Sequence, residues 1–383
     1  MKIGITTFGG DGGKSGISRY IINLLREFSF CDNRSMFETL VYECEKDVFP
    51  INGNRFSFLP FKENIRSPVL NIFWHQAALP GWCKRRKYDV LFLPAGNRRL
   101  PIYSPCPTVG TVHDFSSIHV KGKYDPARMF YITRVLPFLI KKLTRVLTVS
   151  ESSKKDIVEY AGVPEERVIV TPLAADSNIY FPRNKEDSLS LVEAKYGIGS
   201  PYTLYISRIE HPGKNHVRLI RAFERLKISE NLPHQLVLVG SDWNGAEIVY
   251  KAALKSNHSR DIIFTGFVPT DDLPDLYCGS DLFIFPSLYE GFGLPILEAM
   301  SCGVPVACSN MSSMPEVAGK AAKLFDPYDE ESIEDAMRFF LLDIDMRKHY
   351  AGLGLKRSKE FSWTKTAKRT LKVIKEAAED GRR

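Results

Sequence analysis

Arg208 and Lys214, six positions apart in SRIEHPGKNH, are side chains whose types suit a definite chemistry. The arginine offers a planar fork and the lysine a mobile point charge, so together they suit a diphosphate; the plainer reading is an ordinary charged loop. Glu290 and Glu298 bracket EGFGLPILE with seven residues between them. Pro295 fits the first turn of a helix, which leaves Glu290 in a loop and puts Glu298 on the helix. The N–H groups of Gly291, Phe292, Gly293 and Leu294 would then bind sugar hydroxyls and a phosphate. A helix-capping loop with two solvent-facing acids is the alternative. His113-Asp114 closes a strand-like run, where an imidazole donates or accepts a hydrogen bond with a sugar hydroxyl, unless it is a satisfied structural histidine.

The loop Gly9 to Gly16, GGDGGKSG, invites a phosphate reading that its spacing denies. A Walker loop needs glycine where Phe8 stands, and a dinucleotide GxGxxG from Gly10 needs glycine where Ser15 stands. What remains is glycine ahead of a helix N-terminus, where exposed N–H groups hold an anion, against a simple flexible turn. The single DxD, Asp343-Ile-Asp345, is read as solvated surface, and His75, His119, His234 and His258 have no ligand spacing. Neither a metal nor a cofactor is expected.

Such residues need elements to hold them. Strand-like runs fall at Lys2 to Thr7, Glu38 to Tyr42, Arg55 to Leu59, Asp89 to Leu93, Thr108 to Val112, Val146 to Val149 and Arg167 to Val170. Helical periodicity falls between them, from Gly16 to Phe28, Leu70 to Arg85, Ala127 to Leu143 and Ser152 to Tyr160. Thr171 to Leu189 has two prolines and no periodicity and reads as a connection. A second alternation follows, with strands Thr203 to Ser207, Gln235 to Val239, Ile262 to Thr265, Leu282 to Phe285, Pro305 to Cys308 and Ala322 to Phe325. The pattern predicts α/β architecture: two doubly wound domains in tandem, with ligands at the carboxyl ends of the strands in a cleft between facing sheets.

The 383 residues suit two domains, and 44% hydrophobic with 25% charged content is that of a folding chain rather than a disordered one. Seven cysteines without a CxxC pair suggest neither zinc ribbon nor disulfide framework, and a reducing cytoplasm fits. The first residues are too brief for a signal peptide, and no run is long and apolar enough to span a bilayer. Residues 1–180 hold 25 Lys or Arg against 17 acids, while the remainder holds 27 against 28. Nine basic residues between Lys121 and Lys155, opposed by Asp125 and Glu151, favour phosphate-rich partners or an anionic membrane surface, the alternative being a solvated helix face. A nucleic-acid partner is not expected, since no recognition motif or aromatic interleaving accompanies the charge.

Taken in order, SGISRYIINLL, TVHD, TVSESSKKDI, VIVTPLAAD, SRIEHPGKN, TGFVPTDDL and PSLYEGFGLPILEAMSCGVPV resemble the retaining GT-B glycosyltransferases of family 4, over nearly the whole chain. The resemblance implies a GT-B fold of two Rossmann-like domains: 1–175 on the acceptor side, 186–360 for the nucleotide sugar, and a helix in 361–383 packing back on the first domain. It implies that Arg208 and Lys214 bind the donor diphosphate and Glu298 the ribose. Glu290 with the Gly291 to Leu294 backbone would hold the hexose and its phosphate, His113 the transferred sugar, Gly16 the leaving phosphate and Val268 the base through main-chain groups.

The same resemblance implies a metal-independent hexosyltransferase; the cysteine usage and the basic first half add the expectation of a cytoplasmic enzyme, peripheral at the inner face of the plasma membrane. Its donor would be a nucleoside-diphosphate sugar, GDP-mannose first and a UDP-sugar second. Its acceptor would be a glycan or lipid-linked glycan of bacterial surface polysaccharide. A sugar-nucleotide epimerase of the same architecture is the rival, and turnover of donor without acceptor separates the two.

Overall fold

Lys2–Thr6 forms a strand (β1) buried along nearly its whole length, as the run KIGIT requires of a central parallel strand. The computed structural model describes residues 1–8, 16–49, 54–97, 99–120, 122 and 124–381. Six further strands follow: β2 (Met36–Tyr42), β3 (Phe56–Phe61), β4 (Val90–Leu93), β5 (Thr108–Thr111), β6 (Arg145–Thr148) and β7 (Val168–Val170). They pair in the order β3-β2-β1-β4-β5-β6-β7, every pair parallel. Parallel neighbours require crossovers, which the intervening helices supply.

The second sheet contains β8 (Tyr202–Ile206), β9 (Gln235–Val239), β10 (Ile262–Gly266), β11 (Leu282–Phe285), β12 (Val306–Ser309) and β13 (Ala322–Phe325). Its order is β10-β9-β8-β11-β12-β13, again all parallel. The chain leaves β8 in one direction and returns to β11 on its other side. Loops leaving the carboxyl ends of these two neighbours therefore splay apart at the point where the strand order reverses, the place where open α/β sheets receive ligands. β1 and β4 stand in the same relation in the first sheet.

Two compact units result. One comprises Met1–Phe115, Asp125–Leu173 and Ser362–Arg383; the other comprises Ala174–Phe361 with the short segment Ser116–Tyr124. In the first, the helix Trp363–Asp380 lies beside Gly16–Cys31, with the Trp363 ring 6.2 Å from Tyr20 and Lys375 paired to Asp32 at 2.9 Å.

Several elements differ from the sequence expectation, for local reasons. The helix expected over Leu70 to Arg85 is two, Pro68–Ala77 and Leu79–Arg86, because Pro80 has no N–H to continue the ladder. The stretch Ala127 to Leu143 runs as Pro126–Phe130, a π-helical turn Tyr131–Val135, and Leu136–Lys141; the wider turn precedes Pro137. The connection read over Thr171 to Leu189 is too long, since Lys185–Tyr196 is a helix whose cap, Asn184, accepts from the Glu186 and Asp187 amides. Asp343 of the DxD caps a further helix, Ile344–Ser358, which the periodicity concealed.

Among the described residues no helix is long and apolar enough to cross a membrane, and no group of three or more His, Cys, Asp or Glu side chains is placed to hold a metal ion.

Candidate active site

The loop after β8 carries Arg208 and Lys214. Gly240 at the end of β9 permits its path, because a Cβ there would stand 1.9 Å from the Ser207 carbonyl oxygen. Ile209 and Glu210 are buried, His216 opens the helix His216–Glu230, and the His216 ring ties the loop's two ends together. Its Nδ1 lies 3.3 Å from the Glu210 carbonyl and its Nε2 3.3 Å from Ser207 Oγ. A carbonyl only accepts, so Nδ1 holds the proton and Nε2 faces the serine with its lone pair, while Ser207 Oγ also lies 3.2 Å from the Arg208 carbonyl. Burial, assisted by the Lys214 charge, pushes the His216 pKa down to about 3, so the ring stays neutral.

Arg208 is exposed and its guanidinium rests on the Trp243 ring, 4.7 Å from the centroid. Among the described residues it makes no ion pair. Lys214 is half-buried, and its Nζ donates to Glu290 Oε1 at 2.6 Å. Its backbone is fixed too: the Tyr205 hydroxyl donates to the Lys214 carbonyl at 2.8 Å. With that proton committed, Ser287 donates to Tyr205 at 3.2 Å, linking the β8 loop to the segment after β11. Asn215 binds the Pro286 carbonyl at 3.1 Å, which reinforces the same link.

Glu290 to Gly293 follow β11 and lead into the helix Leu294–Ser301. Gly293 has φ +96°, a conformation that opens the first turn without a side-chain cap; Pro295 has no N–H and the Ile296 amide donates to the Gly293 carbonyl at 3.0 Å. Ser312 and Ser313 hold this loop from behind. Ser312 Oγ donates to the Glu290 carbonyl at 2.6 Å, while Ser313 Oγ reaches the Glu290 and Phe292 carbonyls at 2.9 and 2.8 Å. With the carbonyls turned to the serines, the loop's amides are directed the other way. Glu298, on the helix and buried, accepts from the Tyr277 hydroxyl at 2.9 Å through Oε2.

His119 and Val120 pack onto the residues just before Glu290. The His119 ring stacks on Tyr289 at 4.5 Å, and Val120 clusters with Leu288 and Tyr289. A Cβ at Gly213 would stand 3.0 Å from Glu210 Oε1 and 3.5 Å from Val120.

The structure thus brings Lys214 and Glu290 into direct contact, with Glu298 on the helix that continues the Glu290 loop. Val268 is buried on the loop after β10, two strands from β8, and no hydrogen bond or ion pair among the described residues ties it to the others. His113 and Gly16 belong to the first unit. The His113 Nε2 lies 2.9 Å from the Pro94 carbonyl, so Nε2 carries a proton. The Tyr20 ring meets the imidazole edge-on at 4.9 Å, and Ser153 donates to the His113 carbonyl at 3.0 Å. Gly16 is the exposed first residue of its helix, and a Cβ there would meet nothing within 4 Å. The glycine-rich stretch before it, Gly9 to Ser15, lies outside the described residues.

Sequence reasoning missed Trp243, Tyr277, Ser312 and Ser313. Each acts through another residue, and none has a spacing that marks it. The His216 role was readable only as part of GKNH.

Residues 193–355 match the family model described as glycosyl transferases group 1, and residues 14–178 match that of glycosyltransferase family 4. The O-antigen chain mannosyltransferase B of Escherichia coli is 34% identical over 267 residues, covering 70% of each chain. The serotype-specific mannosyltransferase WbdA of Escherichia coli is 33% identical over 69% of this chain, which spans about a third (32%) of WbdA. Anabaena HepE, whose structure was solved in complex with UDP and glucose, superposes with a TM-score of 0.75 at 19% identity over 98% of this chain and 100% of its own.

Proposed function

The chain belongs to the group 1 glycosyltransferases of family 4, with the GT-B fold, and on that premise we propose that it moves a hexose with retention at the anomeric carbon from GDP-mannose to a glycan or lipid-linked acceptor of a surface polysaccharide. The observation that carries this reading is the Lys214–Glu290 ion pair at the reversal of strand order, with Arg208 on the same loop after β8 and Glu298 on the helix that continues the Glu290 loop after β11. The two Escherichia coli relatives named as mannosyltransferases support mannose. The second reading, a UDP-sugar donor, is favoured by the HepE complex with UDP and glucose.

Arg208 forks onto the diphosphate, and Lys214 meets it as a point charge once released from Glu290. Amides of Gly291 to Leu294 bind the sugar-side phosphate, Glu298 accepts from the ribose hydroxyls, and main-chain groups at Val268 hold the base. His113 contacts the transferred sugar, and the helix N-terminus at Gly16 serves the leaving phosphate. In the reaction the bond from the anomeric carbon to the diphosphate oxygen breaks, and the acceptor oxygen bonds to that carbon from the same face. The acceptor's proton passes to the departing diphosphate. These cations and amides stabilise the charge developing on that leaving group without a metal. Glu290 binds the sugar and stabilises charge and forms no covalent bond to it.

We place the enzyme in the cytoplasm, in peripheral contact with anionic lipid, because the excess positive charge lies in its first half. A thermal-shift screen against GDP, UDP and ADP tests the donor: GDP is expected to raise the melting temperature most. Stabilisation by UDP alone would replace GDP-mannose with a UDP-sugar. Consumption of donor without acceptor, giving an altered sugar nucleotide, would replace transfer with epimerisation.

A further inference from the structure

The first unit carries a surface that donor binding does not use. Val69, Leu70 and Phe73 on the helix Pro68–Ala77, Ile102 and Tyr103 in the loop between β4 and β5, and Phe130 and Phe138 on the helical run Pro126–Lys141 are each at least half exposed. These three stretches adjoin. Gln76 Nε2 donates to the Leu100 carbonyl at 2.9 Å, and the Ile102 amide donates to Gln76 Oε1 at 2.8 Å. Arg99 binds Asn71 at 2.7 Å, and its charge reaches Tyr131 in the helical run. Ile102 and Lys142 line one cavity, and the Lys142 Nζ sits 5.2 Å over the Phe138 ring.

Along the helical run, aromatic and basic side chains alternate at helical spacing: Phe130, Arg134, Phe138, Lys142, each exposed. The surrounding sequence is nearly free of carboxylates, since residues 64–150 hold fourteen Lys or Arg against only Asp89, Asp114 and Asp125. The net charge of this stretch exceeds the +7 of the whole chain. A solvated helix face accounts for the cations but not for phenylalanines exposed between them. Aromatic rings that enter the headgroup region beside cations that meet lipid phosphates account for both.

We propose that this face, formed by the three stretches, docks on an anionic lipid bilayer, with Phe130 and Phe138 entering the headgroup layer and Arg134 and Lys142 binding lipid phosphates. The proposal rests on the reading of a transferase working at a membrane-held acceptor, and it adds which surface makes the contact.

The test is co-sedimentation of the full-length protein with vesicles of phosphatidylcholine alone or with roughly a third phosphatidylglycerol, at low and high salt. Wild-type binding is expected only with the anionic lipid, and Arg134→Gln with Lys142→Gln should weaken it about 25-fold, at about fivefold per cation. Phe130→Ser with Phe138→Ser should leave low-salt binding partly intact and lose about tenfold at high salt, where apolar contact carries the remainder. All four side chains are exposed, so circular dichroism and transfer to a water-soluble acceptor should match wild type.

Equal binding to neutral and anionic vesicles, or unchanged binding by both double variants, overturns the proposal. So does a dimer in lipid-free solution that the phenylalanine substitutions abolish while wild type ignores vesicles. Loss of vesicle binding in the variants, with no transfer by wild type or variants, keeps this surface and removes the reading of the reaction instead.

Discussion

Lys214 Nζ lies 2.6 Å from Glu290 Oε1, so the lysine assigned to the diphosphate is neutralised by the carboxylate assigned to the sugar. A donor that draws Lys214 onto its phosphate leaves Glu290 to accept from sugar hydroxyls, which couples the two halves of donor binding. Removing the carboxylate should therefore separate binding from turnover. Glu290→Gln is expected to bind the nucleoside diphosphate at least as tightly as wild type, because Lys214 has lost its competitor, while kcat falls by roughly two orders of magnitude. Isothermal titration with GDP beside steady-state kinetics decides this; a large loss of GDP affinity would show that Glu290 does not compete for the lysine.

Arg208→Ala and Lys214→Ala should each lower kcat/KM by about 100- to 1,000-fold, since each removes charge from the place where the leaving group's charge develops. Arg208 is the cleaner test, because it has no ion pair among the described residues to leave behind. Trp243→Ala should lower kcat/KM about tenfold by releasing the guanidinium from its ring, and Trp243→Phe should restore most of it. Wild-type rates in Arg208→Ala would remove the diphosphate assignment.

His216 gives the loop after β8 a pH signature. Its folded pKa is depressed to about 3 from the ordinary 6.5, so between those values the unfolded chain binds a proton that the folded chain does not. The unfolded state gains from each step down in pH, and stability falls as pH drops from about 6.5 towards 3. His75, buried and held down to about 4, acts in the same direction. Replacing His216 with Asn should flatten the slope of melting temperature against pH over that window, and an unchanged slope would contradict the buried neutral ring.

The carboxylate Glu38 responds to acid for a different reason. Burial alone would raise its pKa, but hydrogen bonds from Arg86, Tyr88 and Lys2 outweigh it and hold the value down to about 2. Its contribution is present above the ordinary value near 4.5 and is lost as pH falls from there towards 2. Glu38→Gln should cost roughly 2–3 kcal/mol at neutral pH, and the gap from wild type in urea unfolding should close as pH falls through that window. A gap that stays constant down to pH near 2 would mean packing, not charge, is what Glu38 supplies.

Much of the scaffold was legible because buried parallel strands announce themselves as short apolar runs bounded by turns, and both sheets fall where such runs fall. Arg208 and Lys214 could be picked out because they lie on the loop after one such strand, and Glu290 and Glu298 because their spacing brackets the loop and helix that follow another. The interruptions at Pro80 and Pro137 were visible as residues but not as consequences, since a proline can kink, end or widen a helix. The helix Lys185–Tyr196 was hidden by its polar composition, although Asn184 followed by two acids is a start signal. Tyr277, Trp243 and the serine pair Ser312 and Ser313 stayed illegible because their partners are distant in sequence: only the folded chain places Ser312 behind Glu290.

That serine pair makes the loop's geometry testable without touching a group that meets substrate. Ser313 spans the Glu290 and Phe292 carbonyls, so its loss frees the Phe292 peptide plane to rotate and leaves the Glu290 carbonyl to Ser312 alone. Ser313→Ala is expected to lower kcat about tenfold with a smaller rise in the donor KM, because preorganised amides act chiefly on developing charge. Adding Ser312→Ala should deepen the loss beyond the sum, as the two hydroxyls share the Glu290 carbonyl. Ser313→Thr keeps the hydroxyl and should recover most of the rate. Melting temperature separates this from simple destabilisation: a fall in kcat that tracks the melting temperature across the three variants, with no recovery in the threonine, would make the serines structural only.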